Sequence, residues 1–266
     1  MEIEFTKYHG AGNDFIMIDG FRHSKLSQKL TQEDIAWLCS RHFGIGADGL
    51  IIIAESDTYD LEMIYYNSDG AISSMCGNGG RCTVHYAHSL GYVGKEMTFL
   101  AADGPHQGKV SDNSISISMS DVKTIEDLKQ NAFFLDTGSP HYVQFIEGRD
   151  TDLRDMDLVK TARVVRYGPT YAKEGTNVNY VIKNSDKLLI RTYERGVEDE
   201  TLACGTGVVA AAIASRMGYD GRQVVKVAAR GGDLEVSYNS GKNYTDIWLT
   251  GPAKGVFTGR CDLSNR

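Results

Sequence analysis

Apolar and polar residues alternate along this chain in many short runs, and only a few stretches show helical spacing. Alternation predicts strands over residues 3–8, 15–19, 50–54, 61–66, 96–101, 108–110 and 114–119. In the second half it predicts strands over 132–137, 142–146, 187–194, 223–229, 233–238 and 246–250, with another entered from EGTNVNYVI at Glu174. Helical signals are sparse. Thr31 followed by Asp34 makes a hydroxyl cap with a carboxylate three residues on, and Ile35, Leu38 and Cys39 mark the apolar face behind it. Residues 152–160 predict a short helix, 120–130 are too polar for a strand and read as a crossing segment, and 256–266 read as a tail.

Two further helices share one design. MCGNGGRC (Met75 to Cys82) opens a helix that Gly91 stops, and LACGTGV (Leu202 to Val208) opens a second that Gly218 stops. Each places a cysteine before a Gly-x-Gly turn. The cysteines lie 128 residues apart, and Tyr65-Tyr66-Asn67 matches Tyr193-Glu194-Arg195 at the same offset. GYVG matches GYDG and AADG matches AARG at an offset of 127, while Gly12-Asn13-Asp14-Phe15 falls on Gly138-Ser139-Pro140-His141 at 126. The chain is therefore an internal duplication. Because 208–215 are apolar on nearly every side, that helix is expected to be buried. Strands outnumber helices too heavily for a doubly wound arrangement. The expected fold is α+β, with two pseudo-symmetric lobes, each a curved mixed β-sheet or barrel around a central α-helix. The expected lobes are 1–120 with Cys76, on which 256–266 packs back, and 121–255 with Cys204.

At 266 residues the chain suits two domains of about 120 to 130. Its apolar share of 41%, charged share of 24% and four prolines describe an ordered chain. A net charge of −7 without a basic run argues against nucleic acid as a partner. No apolar run is long enough for a membrane helix and no signal region opens the chain, so a cytoplasmic protein is expected. Five cysteines without export signals argue against a disulfide framework. RHFGIGADG (Arg41 to Gly49) lacks both the Lys-Ser/Thr of a phosphate loop and the context of a dinucleotide turn. Cys76 and Cys82 have no second ligand pair, so no metal site is expected, and no Cys-x-x-Cys suggests a redox dithiol. Cys39, Cys82 and Cys261 read as structural.

A thiol at a helix start faces unsatisfied N–H groups and the positive end of the dipole, which lowers its pKa from about 8.5 into roughly 3.5–7.5. Bare glycines beside it let a small carboxylate approach the same N–H groups. If the halves pack about a pseudo-twofold axis, Cys76 and Cys204 would stand on opposite sides of one carbon. One sulfur would take its proton while the other supplies one to the opposite face. A turn with an inert buried thiol explains one such motif, but not two in register. A carboxylate-binding or thiol-sensing protein without catalysis is the alternative that the residues leave open.

The ordered set HGAGNDF, RHFGIGADG, NSDGAISSMCGNGGRC, Gly-x-Pro-His, TNVNYV and YERGVEDETLACGTG resembles the diaminopimelate epimerase family from end to end. The two-lobed plan is also that of proline racemases and phenazine-type isomerases. The resemblance implies a cofactor-free isomerase, homodimeric as family members tend to be, that interconverts LL- and meso-diaminopimelate for lysine and peptidoglycan precursors. It implies Cys76 and Cys204 as acid/base residues, with Gly77, Asn78, Gly205 and Thr206 on the reacting carboxylate. Asn13, Asn67, Asn177, Glu194 and Arg195 would hold the remaining substrate groups, and His141 and Glu194 would tune the thiols. Ser139 and Gly49 depart from the Asn and Gln that other members carry there.

Overall fold

The computed structural model describes residues 1–23 and 26–266. In chain order the elements are β1 (Glu2–Gly10), β2 (Asn13–Asp19), α1 (Leu26–Lys29), α2 (Gln32–Cys39), β3 (Gly49–Ala54), β4 (Leu61–Asn67), α3 (Gly77–Ser89), β5 (Glu96–Ala101), β6 (Gly104–Val110) and β7 (Ile115–Met119). There follow β8 (Ile125–Lys129), β9 (Ala132–Asp136), β10 (Pro140–Phe145), α4 (Asp150–Arg154), α5 (Leu158–Arg166), β11 (Asn177–Lys183), β12 (Leu188–Glu194) and β13 (Asp199–Thr201). The chain closes with α6 (Gly205–Ser215), β14 (Gly221–Ala229), β15 (Gly232–Ser240), β16 (Tyr244–Gly251) and β17 (Lys254–Asp262). It divides into two compact units, Met1–Ile117 with Pro252–Arg266, and Ser118–Gly251.

Within the first unit β1 pairs antiparallel with β2, β2 parallel with β3, β3 antiparallel with β4 and β4 parallel with β5. The β5–β6 and β6–β7 pairs are antiparallel. The second unit repeats that order of signs through β9, β10, β11, β12, β14, β15 and β16. Each parallel pair needs a crossover, and the two crossovers differ in destination. The one after β2 carries α1 and α2, whose Leu26, Ile35, Leu38 and Cys39 join Ile16, Ile18, Leu50 and Ile52 in a core outside the sheet. Its counterpart carries α4 and α5, which cover Val178, Tyr180 and Ile182.

The crossover after β4 is α3, which packs against β1, β2, β3, β4, β6 and β17. In the other unit α6 packs against β9, β10, β11, β12, β14, β15 and β16. Each helix is therefore wrapped by its own sheet, as the all-round apolar sequence of 208–215 requires. Val208, Val209 and Ile213 are fully buried, each contributing about 1.5–3 kcal/mol of burial free energy. The glycines of α3 serve closeness: a Cβ on Gly79 would meet Ile51 Cδ1 at 2.9 Å and one on Gly80 would meet Met75 Cε at 2.8 Å.

Three expectations need correction. Residues 120–130 are not free of strand, because β8 pairs antiparallel with β9. The hairpin turns through Lys129, Gln130 and Asn131 with φ of 70°, 51° and 61°, so no glycine marks it in the sequence. Residues 152–160 are not one helix but parts of α4 and α5, broken where Asp157 caps the second by accepting from the Lys160 N–H at 3.2 Å. Residues 256–266, read as a tail packing back on the first lobe, carry most of a strand that the sequence reading did not assign, since β17 runs antiparallel to β1 from Glu2↔Asp262 to His9↔Lys254. No helix among the described residues is long and apolar enough to cross a membrane.

Candidate active site

Cys76 and Cys204 occupy the N-cap positions of α3 and α6 with extended backbones, φ/ψ of −114°/122° and −105°/112°. Neither side chain caps its helix. The first intrahelical bonds run from the Gly80 N–H to Cys76 O at 2.7 Å and from the Val208 N–H to Cys204 O at 2.9 Å. The preceding N–H groups, those of Gly77 and Asn78 and of Gly205 and Thr206, come before the first acceptor that either helix offers and so have no intrahelical partner.

Around Cys76 the loop HGAGNDF supplies Asn13. The half-buried Cys76 Sγ donates to Asn13 Oδ1 at 3.5 Å, and Asn78 Nδ2 donates to the same oxygen at 3.5 Å. The other end of the Asn13 amide is pinned, since Nδ2 donates to Asp48 Oδ2 at 2.7 Å. Asp48 in turn belongs to a charge cluster in which Arg41 bridges Asp48 at 2.6 Å and Asp14 at 2.8 Å, and Lys7 reaches Asp14 at 2.8 Å. Burial raises the Asp14 pKa, but hydrogen bonds from Arg41 and Lys7 outweigh it and hold the carboxyl below the usual range. Asn67 stands exposed at the end of β4, its N–H bonded to Ala71 O at 2.9 Å. Opposite it in register is Gly49. A Cβ on Gly49 would strike Tyr65 Cε2 and Tyr66 O at 2.6 Å, which explains the glycine here.

Around Cys204 the parallel register of β10 and β11 sets His141 against Asn177. His141 is fully buried, and burial with Arg195 nearby lowers its pKa to about 3, so its ring is neutral at physiological pH. The hydrogen-bond network assigns its tautomer. Thr192 Oγ1 donates to Asn179 Oδ1 at 2.9 Å, while Asn179 Nδ2 donates to Tyr142 O at 2.9 Å and to His141 Nδ1 at 3.1 Å. The ring proton therefore sits on Nε2, facing Thr206 Oγ1 at 2.9 Å. The Thr206 hydroxyl completes the relay to Cys204 Sγ at 3.4 Å.

Asn177 Nδ2 donates to Ser139 Oγ at 2.9 Å and Pro140 O at 3.0 Å, leaving its 3.4 Å approach to His141 Nε2 as packing. Ser139 thus gives Asn177 an acceptor. Asn177 Oδ1 accepts from the Arg195 N–H at 2.9 Å, which fixes the backbone just past Glu194. The Arg195 side chain is exposed, with Nη1 donating to Glu174 O at 2.9 Å. Glu194 is half-buried at the end of β12.

The structure therefore links Asn13, Cys76 and Asn78 in one unit, and His141, Asn177, Arg195, Cys204 and Thr206 in the other. Sequence reasoning missed Asp48, which orients Asn13, and Asn179, which orients His141. Their signal was position alone, inside strings already notable for other residues. Cys39 and Cys82 are buried, and burial pushes the first up to about 12 and the second higher still, as suits inert thiols. No group of three or more His, Cys, Asp or Glu side chains among the described residues is placed to hold a metal ion.

The diaminopimelate epimerase family profile matches residues 5–125 and 133–256. The chain is 45% identical over 259 residues to the diaminopimelate epimerase of Flavobacterium psychrophilum, covering 96% of this chain and 98% of that one. It is 41% identical over 264 residues to that of Chlorobaculum tepidum, covering 96% and 99%. Among solved structures, a PhzF-family phenazine biosynthesis protein of Bacillus anthracis aligns with a TM-score of 0.73 over 99% of this chain and 100% of that one. Their sequence identity is 14%, so that likeness concerns the fold. Matched by the family profile across both repeats and by curated relatives over almost its whole length, the chain belongs to the diaminopimelate epimerase family.

Proposed function

We propose that this protein interconverts LL- and meso-2,6-diaminopimelate without a cofactor, using Cys76 and Cys204 as a two-base pair, in the supply of lysine and peptidoglycan precursors. The observation that carries this is the duplicated N-cap cysteine, each followed by helix-start N–H groups that have no intrahelical acceptor. One cysteine, as thiolate, takes the α-proton, and the C–H electron pair moves onto the α-carbon and into its carboxylate. The other, as thiol, gives its proton to the opposite face. The thiol and thiolate have then changed places, and a solvent exchange resets them.

Gly77, Asn78, Gly205 and Thr206 would hold the reacting carboxylate through backbone N–H groups, whose dipoles stabilise the charge that builds there. Asn13, Asn67, Asn177, Glu194 and Arg195 would hold the rest of the substrate. Arg195 suits the distal carboxylate as a two-pronged donor, and Glu194 an ammonium. His141 and Glu194 would tune the thiols. We also propose a cytoplasmic homodimer. The exposed Val256 and Phe257 on β17 give that assembly an apolar surface, and a monomer in sedimentation at micromolar concentration would exclude it.

Incubation with LL-diaminopimelate in deuterated water is expected to give meso product carrying deuterium at the inverted carbon, with proline unchanged. Cys76→Ala and Cys204→Ala should each cut inversion by about 10²-fold or more while keeping the wild-type melting curve. Full turnover in either variant would rule out the two-thiol scheme.

A further inference from the structure

Arg81 lies one turn into α3 and is 0% exposed, the largest of the fully buried side chains. Its guanidinium meets only neutral oxygens. Nη2 donates to Asn78 Oδ1 at 2.8 Å, Nη1 to Gly77 O at 3.3 Å and Nε to Pro252 O at 3.4 Å. No carboxylate among the described residues pairs with it. Burying an ion without a counter-ion costs several kcal/mol, so a compensating negative charge is expected close by.

The surroundings narrow the choice. On β1, Lys7 is engaged with Asp14 on β2, inside the cluster with Arg41 and Asp48. Also on β1, Tyr8 is kept neutral by burial and bonds to His85 of α3 at 3.0 Å. On β2, Asp19 accepts from the Tyr92 hydroxyl and pairs with Arg22. On β6, His106 pairs with Asp103 at 3.0 Å. The groups that couple electrostatically to Arg81 are the thiols of Cys82 and Cys76, and burial keeps Cys82 protonated. Cys76 is left.

A second observation concerns what opposes that charge. The Asn13 amide is pinned by Asp48, so its Oδ1 accepts from the Cys76 thiol and favours the protonated sulfur. An acid/base group must be able to occupy both states at similar free energy. We propose that Arg81 is a positioning residue for Cys76: it is the buried counter-charge of the Cys76 thiolate, offsets the preference of Asn13 for the thiol, and holds Asn78 between them. This rests on Cys76 being one of the two proton-transfer thiols.

The helix that follows Cys204 carries no arginine at the corresponding place. At the offset that relates the two cysteines, the residue matching Arg81 is Val209, a buried member of α6. The two thiols thus face different surroundings, a guanidinium beneath one and a neutral imidazole relay beside the other. Arg81 shares its helix with Cys76 alone of the two, so its effect is read at the first cysteine.

The test is alkylation by iodoacetamide across pH, with Cys76 and Cys204 peptides quantified separately by mass spectrometry, in wild type, Arg81→Met and Arg81→Lys. Arg81→Met is expected to slow Cys76 alkylation about tenfold near neutral pH, the effect of one pK unit, and to leave Cys204 within about twofold by the same measure. Arg81→Lys, which keeps the charge, should recover most of the rate. A folded Arg81→Met whose Cys76 curve overlays the wild type would overturn the proposal, as would equal losses at both cysteines. If Arg81→Met does not fold, the wild-type curve decides: Cys76 must titrate below free cysteine, and a curve at or above it refutes the role. Wild-type deuterium exchange is measured in parallel. Absence of exchange with a low-titrating Cys76 would sink the epimerase reading and leave Arg81 as counter-charge standing.

Discussion

His141 shows how far a single side chain can be committed by its neighbours. Asn179 accepts from Thr192 and donates to Tyr142 O and to the ring, so neither the imidazole nor the amide can flip without losing a bond. Because the folded pKa is about 3 against an ordinary 6.5, the unfolded chain binds the extra proton between those values. The stability that the neutral ring contributes is whole above about 6.5 and is lost as pH falls toward about 3, with a slope of up to about 1.4 kcal/mol per pH unit. His141→Gln should flatten that part of the profile in denaturant titrations at several pH values, and an unchanged slope would contradict the assignment. Gly207 is a second committed position. A Cβ there would sit 2.5 Å from Asn179 Oδ1 and 3.3 Å from His141 Cε1. Gly207→Ala should therefore lose about 1–3 kcal/mol and lower turnover together, measured by thermal melts and the deuterium assay.

Among the elements, the hairpin of β12 and β13 matters most to the second thiol, because it links Glu194 and Arg195 to Cys204. Glu198 anchors it with φ of 58°, accepting from Arg166 at 2.8 Å, Tyr167 at 2.9 Å, Tyr193 at 3.0 Å and the Gly196 N–H at 3.2 Å. Burial raises its pKa, but those donors outweigh it and bring it to about 2. Its contribution is thus complete above about 4.5 and lost as pH falls toward about 2. Glu198→Gln should cost about 1–3 kcal/mol and raise KM more than it lowers kcat, as loosening of Arg195 would; an unaltered KM would show that the hairpin does not position that residue. The long strands and both cysteine helices were legible in the sequence, because period-two alternation and a repeated Cys-Gly-x-Gly are local signals. β8 was hidden by its charges and a glycine-free turn, and β13 by its three-residue length. Asp48 and Asn179 were illegible as partners because strand register, which sequence pattern leaves open, sets one beside Asn13 and the other beside His141.

At the scale of the whole chain, the duplication extends to the order of parallel and antiparallel pairs, yet the flanking strand differs in origin. In the second unit β8 precedes β9 and pairs with it, whereas in the first the strand beside β1 is β17, from the far end. β17 also follows Pro252, whose carbonyl accepts from Arg81. Removal of residues 252–266 should therefore unfold the first unit, seen as rapid proteolysis around Cys76, and persistence of its protection would show that β1 needs no outer partner. A ribosome reaches that last strand only after the entire second unit has been synthesised. At ordinary translation rates the N-terminal sheet waits on the order of ten seconds with one border open, long enough for a passing nascent chain to add a strand of its own.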